Sequence, residues 1–157
     1  MQKICDLYIP EASNNDCLRL LHVFDKKFNY EDNCKYFGYL QTNISRLKLV
    51  NVVAELRKRG IQSFNVPIEY RDNKNITINE ALLFANKYAD VNGIKIGKSF
   101  KDSQMYLPPV FWYFTALYGE NEGDEVVGSS VKVDCLDGHI WDDEEYREYM
   151  YDYNNIL

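Results

Sequence analysis

Histidine is nearly absent from this chain, with only His22 and His139 among 157 residues. Cysteine is sparse too: Cys5, Cys17, Cys34 and Cys135 show no C-x-x-C spacing and no neighbouring histidine pair, which excludes the common zinc arrangements. In a reducing compartment such scattered thiols behave as small buried hydrophobes. No run of about 18 apolar residues occurs, so no membrane-spanning helix is expected. The opening "MQKICDLYIPEASNND" reaches polar residues too early for the hydrophobic region of a secretion signal, and the expected location is the cytoplasm. The G-x-S-x-G elbow, the glycine-rich phosphate loop and the dinucleotide fingerprint are all missing. The chemistries that depend on them lose their residues.

Positive charge is missing where negative charge is densest. Residues 119–157 hold twelve acids and two bases, a net −10, whereas residues 1–118 hold sixteen bases and twelve acids, a net +4. A terminal quarter of that sign repels phosphates, so no nucleic acid is expected as a partner through it. Hydrophobic (46%) and charged (27%) contents are ordinary, but thirteen tyrosines are many. Tyrosine buries its ring while wetting its hydroxyl, as contact surfaces require.

The length and patterning predict one α+β domain over residues 1–157, a mostly antiparallel sheet with packed helices, with no repeat or low-complexity linker. A helix-rich part (1–75) precedes a part with a helix, β-hairpins and an acidic C-terminal helix (76–157). Strands are expected at 3–9, 34–41 and 61–70, with Pro67 marking an edge or bulge. Helical spacing in "NNDCLRLLHVFDKKFN" predicts a first helix around His22, which reads as structural. The clearest helix is "SRLKLVNVVAELRKRG", with Ser45 as its cap, Leu49, Val52, Val53 and Leu56 as its stripe, and Gly60 at its end. Its basic run, Arg57, Lys58 and Arg59, reads as a solvated helix terminus before a phosphate site. In "ITINEALLFANKYADVNG", Thr77 and Glu80 form a capping box, and Ile78, Ala81, Leu82, Ala85, Tyr88 and Ala89 form the expected buried face. An aromatic strand at 110–119 and the strand "VVGSSVKVDC" follow, and the Asp-Gly turn of "LDGH" returns the chain through "IW".

Three constellations carry chemical possibilities. Asp134, Asp137 and Gly138 suggest a calcium loop, but counting back from the glycine puts Val133 at the first ligand position. Neither a metal nor any other cofactor is expected. Cys135 and His139 form a conceivable thiol–imidazole pair without a third orienting group, so no catalytic residue is nominated. The third is "HIWDDEEYREYMYDYN" (139–154), where a helix over 143–153 would align Tyr146, Tyr149, Met150 and Tyr153 as one stripe and carboxylates as another. Like charges at such spacing each cost a few tenths of a kcal/mol, so their accumulation points to a use. Closely spaced carboxylates imitate a phosphate backbone and complement a basic protein groove. The candidate partner-binding residues are Glu120, Glu122, Asp124, Glu125, Trp141, Asp142, Asp143, Glu144, Glu145, Glu148, Tyr149 and Asp152.

The runs "ITINEALLFANKYA", "PVFWYF" and "VKVDCLDGHI" resemble small bacterial immunity proteins of polymorphic and contact-dependent toxin systems, over about residues 76–141. The resemblance implies a non-catalytic protein that binds and neutralises one cognate toxin, often a nuclease; it carries over no individual binding residue. Two alternatives stand beside it. One is a phage-type inhibitor of a host protein. The other is a small enzyme or ligand-binding domain with a pocket lined by Phe111, Trp112 or Tyr113.

Overall fold

The computed structural model describes residues 3–13, 18–24, 26, 35–97, 107–118 and 126–156. It is an α+β protein built on two antiparallel sheets with packed helices. The chain forms two compact units: Met1–Asp72 together with Glu144–Leu157, and Asn73–Asp143. The sequence alone suggests one domain divided after residue 75 and assigns the acidic helix to the second part. In the structure that helix returns to the first unit, because its aromatic side chains find their partners there.

In the first unit, strand β1 (Ile4–Ser13) is central. Strands β2 (Tyr36–Tyr39) and β3 (Ile44–Ser45) pair along one edge of it and β4 (Phe64–Pro67) along the other, all antiparallel. Alternation sends Cys5, Leu7 and Ile9 to one face, where they meet Leu49, Val52, Val53 and Leu56 of helix α2 (Arg46–Lys58). Each of those α2 side chains is fully buried, which stabilises the fold by about 1.5–3 kcal/mol apiece. Leu21 of the short helix α1 (Leu18–Phe24) joins them, whereas His22 beside it is exposed. Ser45 stands at the N-cap of α2 but makes no side-chain capping bond; it belongs to β3. The strand expected over 61–70 stops at Pro67 and turns into a four-residue helix, α3 (Glu69–Asp72). That turn brings Arg71 onto the buried Asp6, Nη1 to Oδ2 2.7 Å. Burial pushes the Asp6 carboxyl up, and the Asn43 N–H and the Arg71 guanidinium offset part of that push.

The second unit packs helix α4 (Ile78–Asn92) on a sheet ordered β5 (Lys95–Ile96), β6 (Phe111–Tyr118), β7 (Val126–Asp134). Half of the capping box is realised: Thr77 accepts from the Glu80 N–H, and the Glu80 carboxylate meets the Thr77 hydroxyl. Gly93, at φ +67, ends the helix in the left-handed region. Ala81, Ala85 and Ala89 are its buried residues, and Ala81 and Ala85 pack with Phe114, Ala116, Val131 and Val133. Leu82 and Tyr88, expected in that face, are 36% and 38% exposed. The alanines bring the helix close to the sheet, and larger side chains are displaced to its flanks.

Candidate functional site

The C-terminal tail comprises helix α5 (Asp143–Glu148) and a π-helical turn, Tyr149–Tyr153. The aromatic stripe anticipated for it divides in two. Tyr149 is buried and its hydroxyl donates to the Asn65 carbonyl at 3.0 Å. Burial drives the Tyr149 phenol far above its ordinary value, although a hydrogen bond with Asn154 pulls the other way. Tyr153 packs against the α2–β1 core and receives the Arg46 guanidinium 5.3 Å above its ring. Tyr149 is therefore an anchor of the fold. Its nomination as a partner contact is corrected, because the wider π-turn directs it onto β4.

Asn154 completes the attachment. Its Oδ1 accepts from the Asn65 N–H at 2.8 Å and its Nδ2 donates to the Tyr149 carbonyl at 3.3 Å. Arg57 donates to the Asn154 carbonyl at 2.5 Å and to the Ser63 carbonyl at 2.9 Å. Arg46 donates to the Asp152 carbonyl. The first residue of the basic run is thus half-buried and structural, and desolvation pulls its pKa down. Both arginines grip the tail by backbone carbonyls and leave its carboxylates alone.

Those carboxylates face outward. Glu144, Glu148 and Asp152, four residues apart, are exposed and form no ion pair among the described residues. Glu145 is half-buried. Beside the row lies a hollow of about 310 Å³ lined by Tyr146, Arg147, Met150, Tyr151 and Ile156. Tyr151 is 55% exposed. None of the five was nominated from the sequence, although a run of alternating tyrosines was the available signal. An acidic edge beside an apolar hollow has the composition of a binding hot spot and its rim.

The other nominated residues fall elsewhere. Glu120, Glu122, Asp124 and Glu125 lie outside the described residues. Asp142 and Asp143 are exposed in the second unit, and Asp143 acts on the charge of Lys132. Lys132 is half-buried, with desolvation lowering its pKa; it bonds Ser130 Oγ at 2.7 Å and stands 5.8 Å over the Tyr113 ring. Trp141 is committed within its own unit: Nε1 donates to Asp134 Oδ2 at 2.8 Å, and the ring meets Phe111 edge-on at 5.2 Å.

The turn after β7 groups Asp134, Asp137 and His139, whose ligand-type atoms all lie within 4.8 Å of one another. Their oxygens serve the turn. Asp134 accepts from the Leu136 N–H and Trp141 Nε1, and Asp137 Oδ1 accepts from the His139 N–H and stands 2.5 Å from His139 Nδ1. Burial acts to raise the Asp137 pKa, but these bonds and the imidazole's charge outweigh it and the net shift is downward. Cys135 is buried and its thiol is pushed up to about 12 by desolvation, which leaves little thiolate for chemistry with His139. Cys5 is held likewise at about 12. A second hollow, about 460 Å³, is shared by this turn and α4, and neither hollow is lined by Phe111, Trp112 or Tyr113.

No helix among the described residues is long and apolar enough to cross a membrane. Comparison with protein-family models, with curated proteins and with solved structures found no match to the chain.

Proposed function

We propose that the protein is an inhibitor of the immunity type, non-catalytic and without a cofactor, whose acidic C-terminal face occupies a basic groove on a toxin, most naturally a nuclease. One observation carries this reading. Glu144, Glu148 and Asp152 are exposed, outside any ion pair among the described residues, on a segment tied to the first unit by Arg46, Arg57, Asn154 and Tyr149. A solvated helix ordinarily mixes both signs of charge. Here Arg46 and Arg57 are spent on carbonyls, Arg147 is the tail's single cation against Glu144, Glu145, Glu148 and Asp152, and the net field at solvent is negative. A groove evolved for phosphates meets that field favourably, and such fields speed encounter by roughly ten- to a thousandfold at low salt. The hollow at Tyr151 offers a site for one apolar side chain of the partner. Neither nucleic acid nor membrane is a partner on this reading, and the protein works in the cytoplasm.

The test is capture of the partner by the full chain in its native host, followed by an assay of that partner's activity. A basic enzyme silenced by one equivalent of the chain supports the proposal. A partner that is acidic, or that keeps full activity in the complex, refutes it.

A further inference from the structure

Helix α4 carries a second face that the sheet does not use. Leu83 is 72% exposed, Val91 82% and Phe84 43%. With Glu80, Lys87 and Tyr88 they recur at three- and four-residue spacing along one stripe, turned away from the buried alanines. Singly exposed hydrophobes need no explanation, but a continuous stripe on one helix marks an interaction surface. Phe84 is held against Gly138, and Phe84, Lys87, Tyr88 and Val91 border the 460 Å³ hollow beside the Asp137–Ile140 turn.

The charges on the stripe say what covers it. Glu80 and Lys87 stand equally far on either side of the Leu83–Phe84 peptide. A two-fold axis through that peptide would pack α4 antiparallel to α4 of another molecule. Leu83 would then meet Phe84 of the copy, and Glu80 would face Lys87 of the copy twice over. Isologous contacts require such self-complementarity: whatever i gives to j, j must give back to i. A parallel arrangement would instead set Glu80 against Glu80 and Lys87 against Lys87. We infer that the exposed stripe of α4 is a homodimer interface, with Leu83 and Phe84 at the axis and Glu80–Lys87 pairs on either side. The stripe belongs to the second unit, so its failure as an interface would leave the acidic face of the first unit untouched.

The experiment is sedimentation equilibrium on the full chain and its variants, with circular dichroism as a check that each folds. The wild type should be a dimer at micromolar concentration. Leu83→Asp, at a side chain exposed to solvent, should give a folded monomer. Glu80→Lys and Lys87→Glu should each raise the dimer dissociation constant by about tenfold, and the double exchange should return it to within about twofold of wild type. The inference is overturned by a wild type that stays monomeric at about 100 µM, or by a dimer indifferent to Leu83→Asp. A double exchange no better than the singles overturns it too. So does a monomer whose Leu83→Asp variant loses a foreign protein, since the face would then belong to that protein.

Discussion

Asn65 donates its backbone N–H to the side-chain oxygen of Asn154 at 2.8 Å, across 89 residues of chain. The same peptide strand receives the Tyr149 hydroxyl on its carbonyl, so both backbone groups of Asn65 are satisfied by the tail. The outer edge of β4 is thereby covered at Asn65, and the exposed carboxylates of the tail acquire a fixed mount.

Asn154→Ala removes the acceptor for a buried N–H and should cost about 1–3 kcal/mol in urea unfolding. Hydrogen exchange at residues 144–156 should accelerate at the same time. Tyr149→Phe, which leaves one carbonyl unpaired, should cost less, about 1 kcal/mol. Unchanged exchange in the tail of Asn154→Ala would show that it is held by other contacts.

Arg71→Met leaves Asp6 buried without its counter-charge, and should cost about 3 kcal/mol at neutral pH. Asp6 already has a raised folded pKa, so the folded chain binds its proton more readily than the unfolded chain. Its contribution therefore grows more favourable as pH falls through the folded value toward the unfolded one. Removing Arg71 raises the folded value further. The deficit of the variant should shrink on acidification, read as converging melting temperatures of variant and wild type. A deficit independent of pH would mean that packing, not charge, is lost.

Gly138 has φ +77, and a Cβ there would stand 2.5 Å from the Phe84 ring. Gly138→Ala should cost about 1–2 kcal/mol from the left-handed backbone alone, with the clash added. A thermal melt shows the loss, and combining the change with Phe84→Ala should recover only the steric part.

Burial holds Cys5 and Cys135 at about 12, four units above a buffer at pH 8. In a Cys17→Ser/Cys34→Ser background both thiols should resist a disulfide reagent until denaturant is added, then react within the mixing time. Prompt labelling of Cys135 in the folded protein would reopen its pairing with His139.

The sequence made the local elements legible wherever periodicity and caps agreed. The stripe of α2, the Thr77 cap, the Asp137–Gly138 turn and the α+β class can all be read from spacing. Long-range pairing could not be read. Nothing local says that β1 takes partners on both edges, or that the tail from Glu144 joins the first unit. On α4 the three buried alanines can be read from spacing, but Leu82 and Tyr88, expected beside them, are exposed, because the small side chains bring the helix close to the sheet and leave the larger ones at its flanks. In the tail, a 3.6-residue period placed Tyr149 and Tyr153 on one stripe with Tyr146 and Met150. The stripe divides at the π-turn, with Tyr149 and Tyr153 turned to the core and Tyr146 and Met150 left at the hollow beside the exposed Tyr151, and no residue type announces such a turn.

The proposed function rests on the outward carboxylates of the tail as a docking face. Its most direct test is partner affinity as a function of salt for the wild type and for Glu144→Lys/Glu148→Lys/Asp152→Lys. The wild type should bind more weakly as salt rises, and the triple variant should lose on the order of a hundredfold at low salt together with most of that dependence. Equal affinities and equal salt slopes for the two chains would contradict it.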